Sequence, residues 1–230
     1  WPRQQGSYRS RAAGPGGAQQ GARVGVAHDL LSARAGAVKA NGKSAWMATV
    51  DRPASPFGRR QSVAFDNLIK LPLGQFSYGA VQPAPGLAVL RARQAGPRAW
   101  AATVSGNYSL AGFDRVPHSF VATYTVVQRS GGWRIADDVD GATPLQMWDL
   151  PGLRVVRGRS SIVVGNAPVT RMQDYATIAD AAVRLVSGVG GKGWSAHVVK
   201  VTQSTRDEFA KQGVRSVDAG AEQCADMPQD

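Results

Sequence analysis

The chain has 230 residues, 43% of them hydrophobic, with 27 Lys and Arg against 16 Asp and Glu for a net charge of +11. No apolar run reaches the roughly 18 residues that a membrane-spanning helix needs, and the lone Cys224 excludes an internal disulfide. The length suits one large domain or two small ones, and the chain, which begins at Trp1, reads as a mature product or a fragment.

Residues 1–22 are Gly, Gln, Arg and Ser with almost no apolar side chain, which predicts a disordered tail because such a segment buries too little to offset its ordering entropy. A helix follows over Val26–Ala40, where Val26, Leu30, Leu31, Ala37 and Val38 share a face, and Asn41-Gly42 ends it with a pair that tolerates positive φ. A short helix is expected at Lys43–Val50. A third spans Gly58–Leu71 with Phe65, Leu68 and Ile69 facing inward, closed by Pro72. Strands are then expected at Phe76–Val81, at Leu87–Gln94 after the Pro83-Ala84-Pro85-Gly86 turn, and at Ala99–Tyr108. Phe120–Arg129 and Trp133–Asp138 form the plainest hairpin, joined by Ser130-Gly131-Gly132. Phe120, Ala122, Tyr124 and Val126 alternate with Val121, Thr123, Thr125 and Val127, so both faces are apolar and the sheet is expected to be covered on the helix side.

Pro144 and Pro151-Gly152 mark a linker over 141–152. Two β-rich stretches follow at 153–159 and 161–165, then an amphipathic helix at 170–187 with Tyr175, Ile178, Ala179, Ala182, Leu185 and Val186 as its stripe. A strand at Ala196–Val201 comes next, and Thr205-Arg206-Asp207-Glu208 reads as a capping box opening another helix. The expected division is a tail at 1–22, an α+β domain at 23–140, a linker at 141–152, a partial α/β segment at 153–215 and a tail at 216–230.

Chemistry-bearing patterns are sparse. His28, His118 and His197 are scattered, with no second ligand at metal spacing, so no metal or cofactor is expected. Asp138-Val139-Asp140-Gly141 is too short for a calcium loop, and Gly188–Gly193 around Lys192 follows a helix, the reverse of a phosphate loop's context. No Gly-x-Ser-x-Gly elbow occurs. The Arg and Lys residues form no run interleaved with aromatics, so no specific nucleic acid is expected, and polyanion binding through the basic surface stands as an alternative.

The helix Ala27-His28-Asp29-Leu30-Leu31, the Trp46-Met47 helix and the hairpin Gly131-Gly132-Trp133-Arg134-Ile135-Ala136 resemble the cone-shaped α+β family of nuclear transport factor two, scytalone dehydratase and ketosteroid isomerase, over about residues 23–140. The resemblance implies three helices packed on a strongly curved antiparallel sheet, with Trp133 packed under it. That fold serves enzymes, binding modules and spacers alike. In such a cone a functional polar group sits in an apolar cavity, which makes Asp51, Tyr78, Tyr108, Tyr124 and His118 the polar candidates and adds Trp46 as a ligand-binding side chain. The family's Asp–Tyr–acid trio does not map residue by residue onto this sequence.

Residues 153–215 resemble the opening of gluzincin-type zinc peptidase domains but carry no His-Glu-x-x-His. The expectation is therefore a non-catalytic binding or interaction module of an extracytoplasmic bacterial protein. It would hold a small apolar ligand in the cone, dimerise through the sheet face with Trp100 and Tyr124 contributing, and associate peripherally with membrane or cell wall. The alternative is the non-catalytic front of a zinc metallopeptidase.

Overall fold

The computed structural model describes residues 15–138, 144–190 and 197–200. Helix α1 (Pro15–Lys39) is followed by α2 (Lys43–Met47), α3 (Pro56–Leu68), β1 (Leu73–Pro83), α4 (Ala88–Ala95), β2 (Trp100–Leu110), β3 (His118–Arg129) and β4 (Gly132–Asp137). A one-turn 3-10 helix at Met147–Asp149 leads into β5 (Arg154–Arg157), β6 (Ser161–Gly165), α5 (Val169–Gly190) and β7 (His197–Lys200). The chain is α+β, with a four-stranded antiparallel sheet in the order β1-β2-β3-β4 and a three-stranded sheet in the order β5-β6-β7.

Local chemistry sets the helix ends. Asn41 takes φ +51° after α1, as its place beside Gly42 predicted. Ser55 caps α3 by accepting a hydrogen bond from the Gly58 amide at 3.0 Å, with Pro56 opening the first turn. On α1 the residues turned to the sheet are Ala27, Leu31, Arg34, Ala37 and Val38, all buried. Their spacing of three or four residues is that of one helical face.

The first sheet is irregular by construction. β1 slips register against β2 between Leu73 and Gln75 and again between Tyr78 and Val81, and β3 slips against β4 between Thr125 and Val126. Such bulges bend a strand and increase its twist. The inner face carries Trp100, Ala102, Val104, Ala122, Tyr124, Val126 and Ile135 against Ala27 and Leu31 of α1 and Phe57 of α3. Trp133 packs half-buried against the same cluster, and Val50 bridges to Ile135.

The second sheet packs with the first in a neighbouring apolar cluster. Leu153, Ile162 and Val164 lie in one apolar cluster with Trp46, Phe65, Leu68, Tyr108, Phe120 and Trp148, while Val163 on the opposite face of β6 packs on Met172 and Ala176 of α5. β6 is thus buried on both sides. It pairs antiparallel with β5 and parallel with β7, with α5 as the crossover.

Several sequence expectations are corrected here. Residues 15–22 belong to α1 and not to a tail. Leu87–Gln94 is not a strand: residues 88–95 form α4, which lies over β2 and β3. Trp148 and Leu150, placed in a linker, are core residues. On α5 the buried stripe is Met172, Ala176 and Val183, whereas Ile178 and Leu185 are 64% and 74% exposed. Trp100 and Tyr124 are buried on the inner face, so neither belongs to an outward sheet surface. The capping box at Thr205 and the helix expected after it lie outside the described residues, as do Asp140 and Cys224.

Candidate functional site

The helices and the inner sheet face leave a pocket between them, lined by Arg34 of α1, Trp46 of α2, Gln61 and Ala64 of α3, Tyr78 of β1, Phe120, Ala122 and Tyr124 of β3, Asp138 after β4, and Gln146, Trp148 and Asp149. Its cavity volume is about 30 Å³. That holds one or two waters, or a ligand of a few heavy atoms.

One wall is aromatic. Tyr78 meets Phe120 edge-on at 5.9 Å and Tyr124 edge-on at 6.4 Å, and Phe120 meets Trp148 edge-on at 5.3 Å. These are the edge-to-face geometries that ring quadrupoles favour. Gly106, opposite Phe120 in the β2–β3 register, lets the Phe120 ring lie across the strand.

The other wall is polar. Arg34 is 1% exposed, and its guanidinium lies 3.5 Å from the centre of the Trp46 ring. Its Nη1 donates to Thr49 Oγ1 at 2.8 Å and its Nη2 to Gln61 Oε1. Gln61 Nε2 passes the bond on to Asp138 Oδ2 at 2.9 Å, and Arg60 Nη2 donates to Asp138 Oδ1 at 2.8 Å. The Gln61 amide is oriented by having an acceptor to offer on one side and donors on the other. Trp46 Nε1 donates to the Gln61 carbonyl at 3.0 Å, which ties α2 to α3 beside the pocket.

Asp149 closes the polar end. Its carboxylate accepts from the Gln146 amide at 2.9 Å in a capping box, yet desolvation dominates and pushes its pKa up to about 7, with the Asp138 carboxylate adding to the rise. Tyr124 is likewise held protonated well above the ordinary tyrosine range, by burial first and then by Tyr78 beside it. The pocket therefore combines a cation, a carboxyl that titrates near neutrality and two tyrosine hydroxyls.

Of the side chains expected at the site, Tyr78, Tyr124 and Trp46 do line the pocket. Tyr108 and His118 do not. They pair across β2 and β3 with rings stacked at 5.3 Å, Tyr108 packs edge-on to Trp148, and the exposed His118 bonds Asp114 at 2.9 Å. Asp51 is a structural anion: Arg129 clasps both its oxygens at 2.9 and 2.6 Å, and this bonding holds its carboxyl below the usual range. Asp137 and Asp138 are bonded to Arg60, and no metal-binding cluster occurs among the described residues. Arg34, Gln61 and Asp149 escaped the sequence reading, and Asp138 was weighed there only as part of a calcium loop. Arg34 carried a signal, because it sits three residues after Leu31 and four before Val38, on the buried stripe.

No family model matches this chain, and no curated protein matches it. Among solved structures, a protein of unknown function from Mycobacterium tuberculosis aligns at 11% identity and a TM-score of 0.41, over 59% of this chain and 83% of that one. No helix among the described residues is long and apolar enough to cross a membrane.

Proposed function

We propose that the chain is a binding module, without catalysis of its own, whose cone-like inner face holds a small ligand. The observation that carries this reading is the convergence of Tyr78, Phe120, Tyr124, Trp46 and Trp148 with Arg34, Gln61 and Asp149 on one pocket. A mostly apolar wall with a few placed polar groups is the usual make-up of a ligand site. The small cavity favours a ligand of a few heavy atoms over anything of steroid size. Ala122 provides the test. Ala122→Leu fills the pocket without touching the hydrogen-bonded wall, so ligands found by nuclear magnetic resonance screening of small fragments lose binding in that variant. Fragments that bind both proteins equally, or a screen without hits, would sink the reading.

A second reading rests on Asp149. A carboxyl that titrates near neutrality beside two tyrosines in a desolvated pocket is competent to exchange a proton with a bound molecule. Turnover of a bound fragment that is lost in Asp149→Asn, with binding retained, would decide for an enzyme.

A further inference from the structure

We infer that the pocket selects a small carboxylate and that Arg34 is the group that recognises it. The inference deepens the binding reading and rests on it. Arg34 is a buried cation whose described bonds go to neutral oxygens, Thr49 Oγ1 and Gln61 Oε1. Among the described residues no carboxylate lies within ion-pair distance of it, and its buried Nε has no hydrogen-bond partner. A guanidinium has five N–H donors in a planar fork, and the described bonds use one from each terminal nitrogen. A buried charge left in that state is costly unless something compensates it. The Trp46 face and the neutral dipoles of Thr49 and Gln61 do so in part.

The neighbouring charges are already committed. Asp138 bonds Arg60 and Gln61, and Arg60 also bonds Asp137. Asp149 faces Arg34 across the pocket but makes no ion pair with it, so among the described lining residues Arg34 is the cation with no carboxylate bonded to it. A carboxylate matches its fork in shape and charge. Asp149, on the same pocket, offers an O–H to the ligand's second oxygen when it is protonated. A phosphate fits less well, because its further charge meets no second free cation among the described lining residues. The aromatic wall of Tyr78, Phe120 and Tyr124 then covers a short apolar body.

The experiment compares three probes of one size on the full chain: propionate, propionamide and propylammonium, titrated at pH 6 in low chloride while the Trp46 indole and Ala122 methyl resonances are followed. Propionate is expected to bind at least tenfold more tightly than either other probe. Arg34→Lys, which keeps the charge but loses the fork, is expected to weaken propionate at least fivefold, and Ala122→Leu to abolish its binding with the fork untouched. Equal or tighter binding of propionamide or propylammonium at the same resonances would overturn the carboxylate assignment and leave the binding reading standing. Unchanged propionate binding in Arg34→Lys would also overturn it. If none of the three probes shifts the pocket resonances, both readings fall.

Discussion

Phe120 lies directly over Gly106, its cross-strand partner, so that a methyl group added to Gly106 would come within 2.2 Å of the ring's Cζ. The ring has no easy retreat, since it is packed among Phe76, Tyr78, Tyr108 and Trp148. Gly106→Ala is expected to cost about 2–3 kcal/mol through overpacking, read as a lowered midpoint in urea, and to shift the Trp148 fluorescence that reports on the pocket wall.

Asn67 is 1% exposed, and its side-chain Nδ2 donates to the carbonyls of Trp148 and Leu150 at 2.9 and 2.8 Å. Replacing it with Ala leaves two buried carbonyls without that donor. Asn67→Ala should lose about 2–4 kcal/mol, since each orphaned buried acceptor costs about 1–3 kcal/mol. Asn67→Asp should be at least as damaging, because a carboxylate cannot donate to either carbonyl. Chemical denaturation of both variants measures this.

The Asp149 carboxyl gives stability a defined pH dependence. Its folded pKa, near 7, is raised above the unfolded value of 3.8, so the folded state holds the proton more tightly. The associated stability is full below pH 3.8 and is lost as pH rises through about 7. The decline over that span is on the order of 4 kcal/mol. The other charges facing the group are Arg34, Arg60 and Asp138. Asp149→Asn, which keeps an acceptor for the Gln146 amide, should flatten the profile between about pH 4 and 7. An unchanged profile would place the titration elsewhere.

Asp51 runs the opposite way. Arg129 bonding lowers its folded pKa below 3.8, so its contribution is present above that pH and is lost as pH falls through the lowered value. The Arg129 side chain is 38% exposed, which allows solvent to screen the pair. A double-mutant cycle with Asp51→Asn and Arg129→Gln should therefore return a coupling of only about 1 kcal/mol, shrinking in high salt.

Binding should follow Asp149 as well. Its ionised form faces Arg34, Arg60, Asp138, Tyr78 and Tyr124 across the pocket, and adding a ligand carboxylate to that set brings like charges together. Propionate affinity should rise severalfold from pH 8 to pH 6 and become flat in Asp149→Asn, as titration calorimetry would show.

The parts of the fold that the sequence made legible are those with one dominant local signal. The β3–β4 hairpin announces itself through strict alternation and the glycines at its turn, and Asn41-Gly42 stops α1 where expected. α4 departs from the expected strand because Ala88–Ala95 has apolar residues consistent with both a period of two and a period of 3.6, and its short length gives no tie-breaker. α5 misled differently. Its apolar residues fall on more than one face, and the face that meets β6 is the one with small Ala176 and unbranched Met172, not the one with Ile178 and Leu185. Tyr78 and Tyr124 were legible because both sit mid-strand in β1 and β3, and Trp46 because it is the one large ring of its short helix. Arg34 and Asp149 were not, since charge in a sequence reads as surface until packing shows otherwise.

The shared core sets an order of events as the chain is made. When residue 140 leaves the ribosome, the first sheet and its four helices have been synthesised, but Asn67 has no carbonyls to hold and Phe120 and Tyr108 have no Trp148 to close on. Leu153, Ile162 and Val164 complete that layer only later. The nascent front half is thus a sheet with an open apolar flank, kept from other chains by the arrival of its own sequel. Stalling translation between residues 140 and 165 would leave a sticky intermediate that a hydrophobic dye or a chaperone detects, and that a chain extended through β6 does not show.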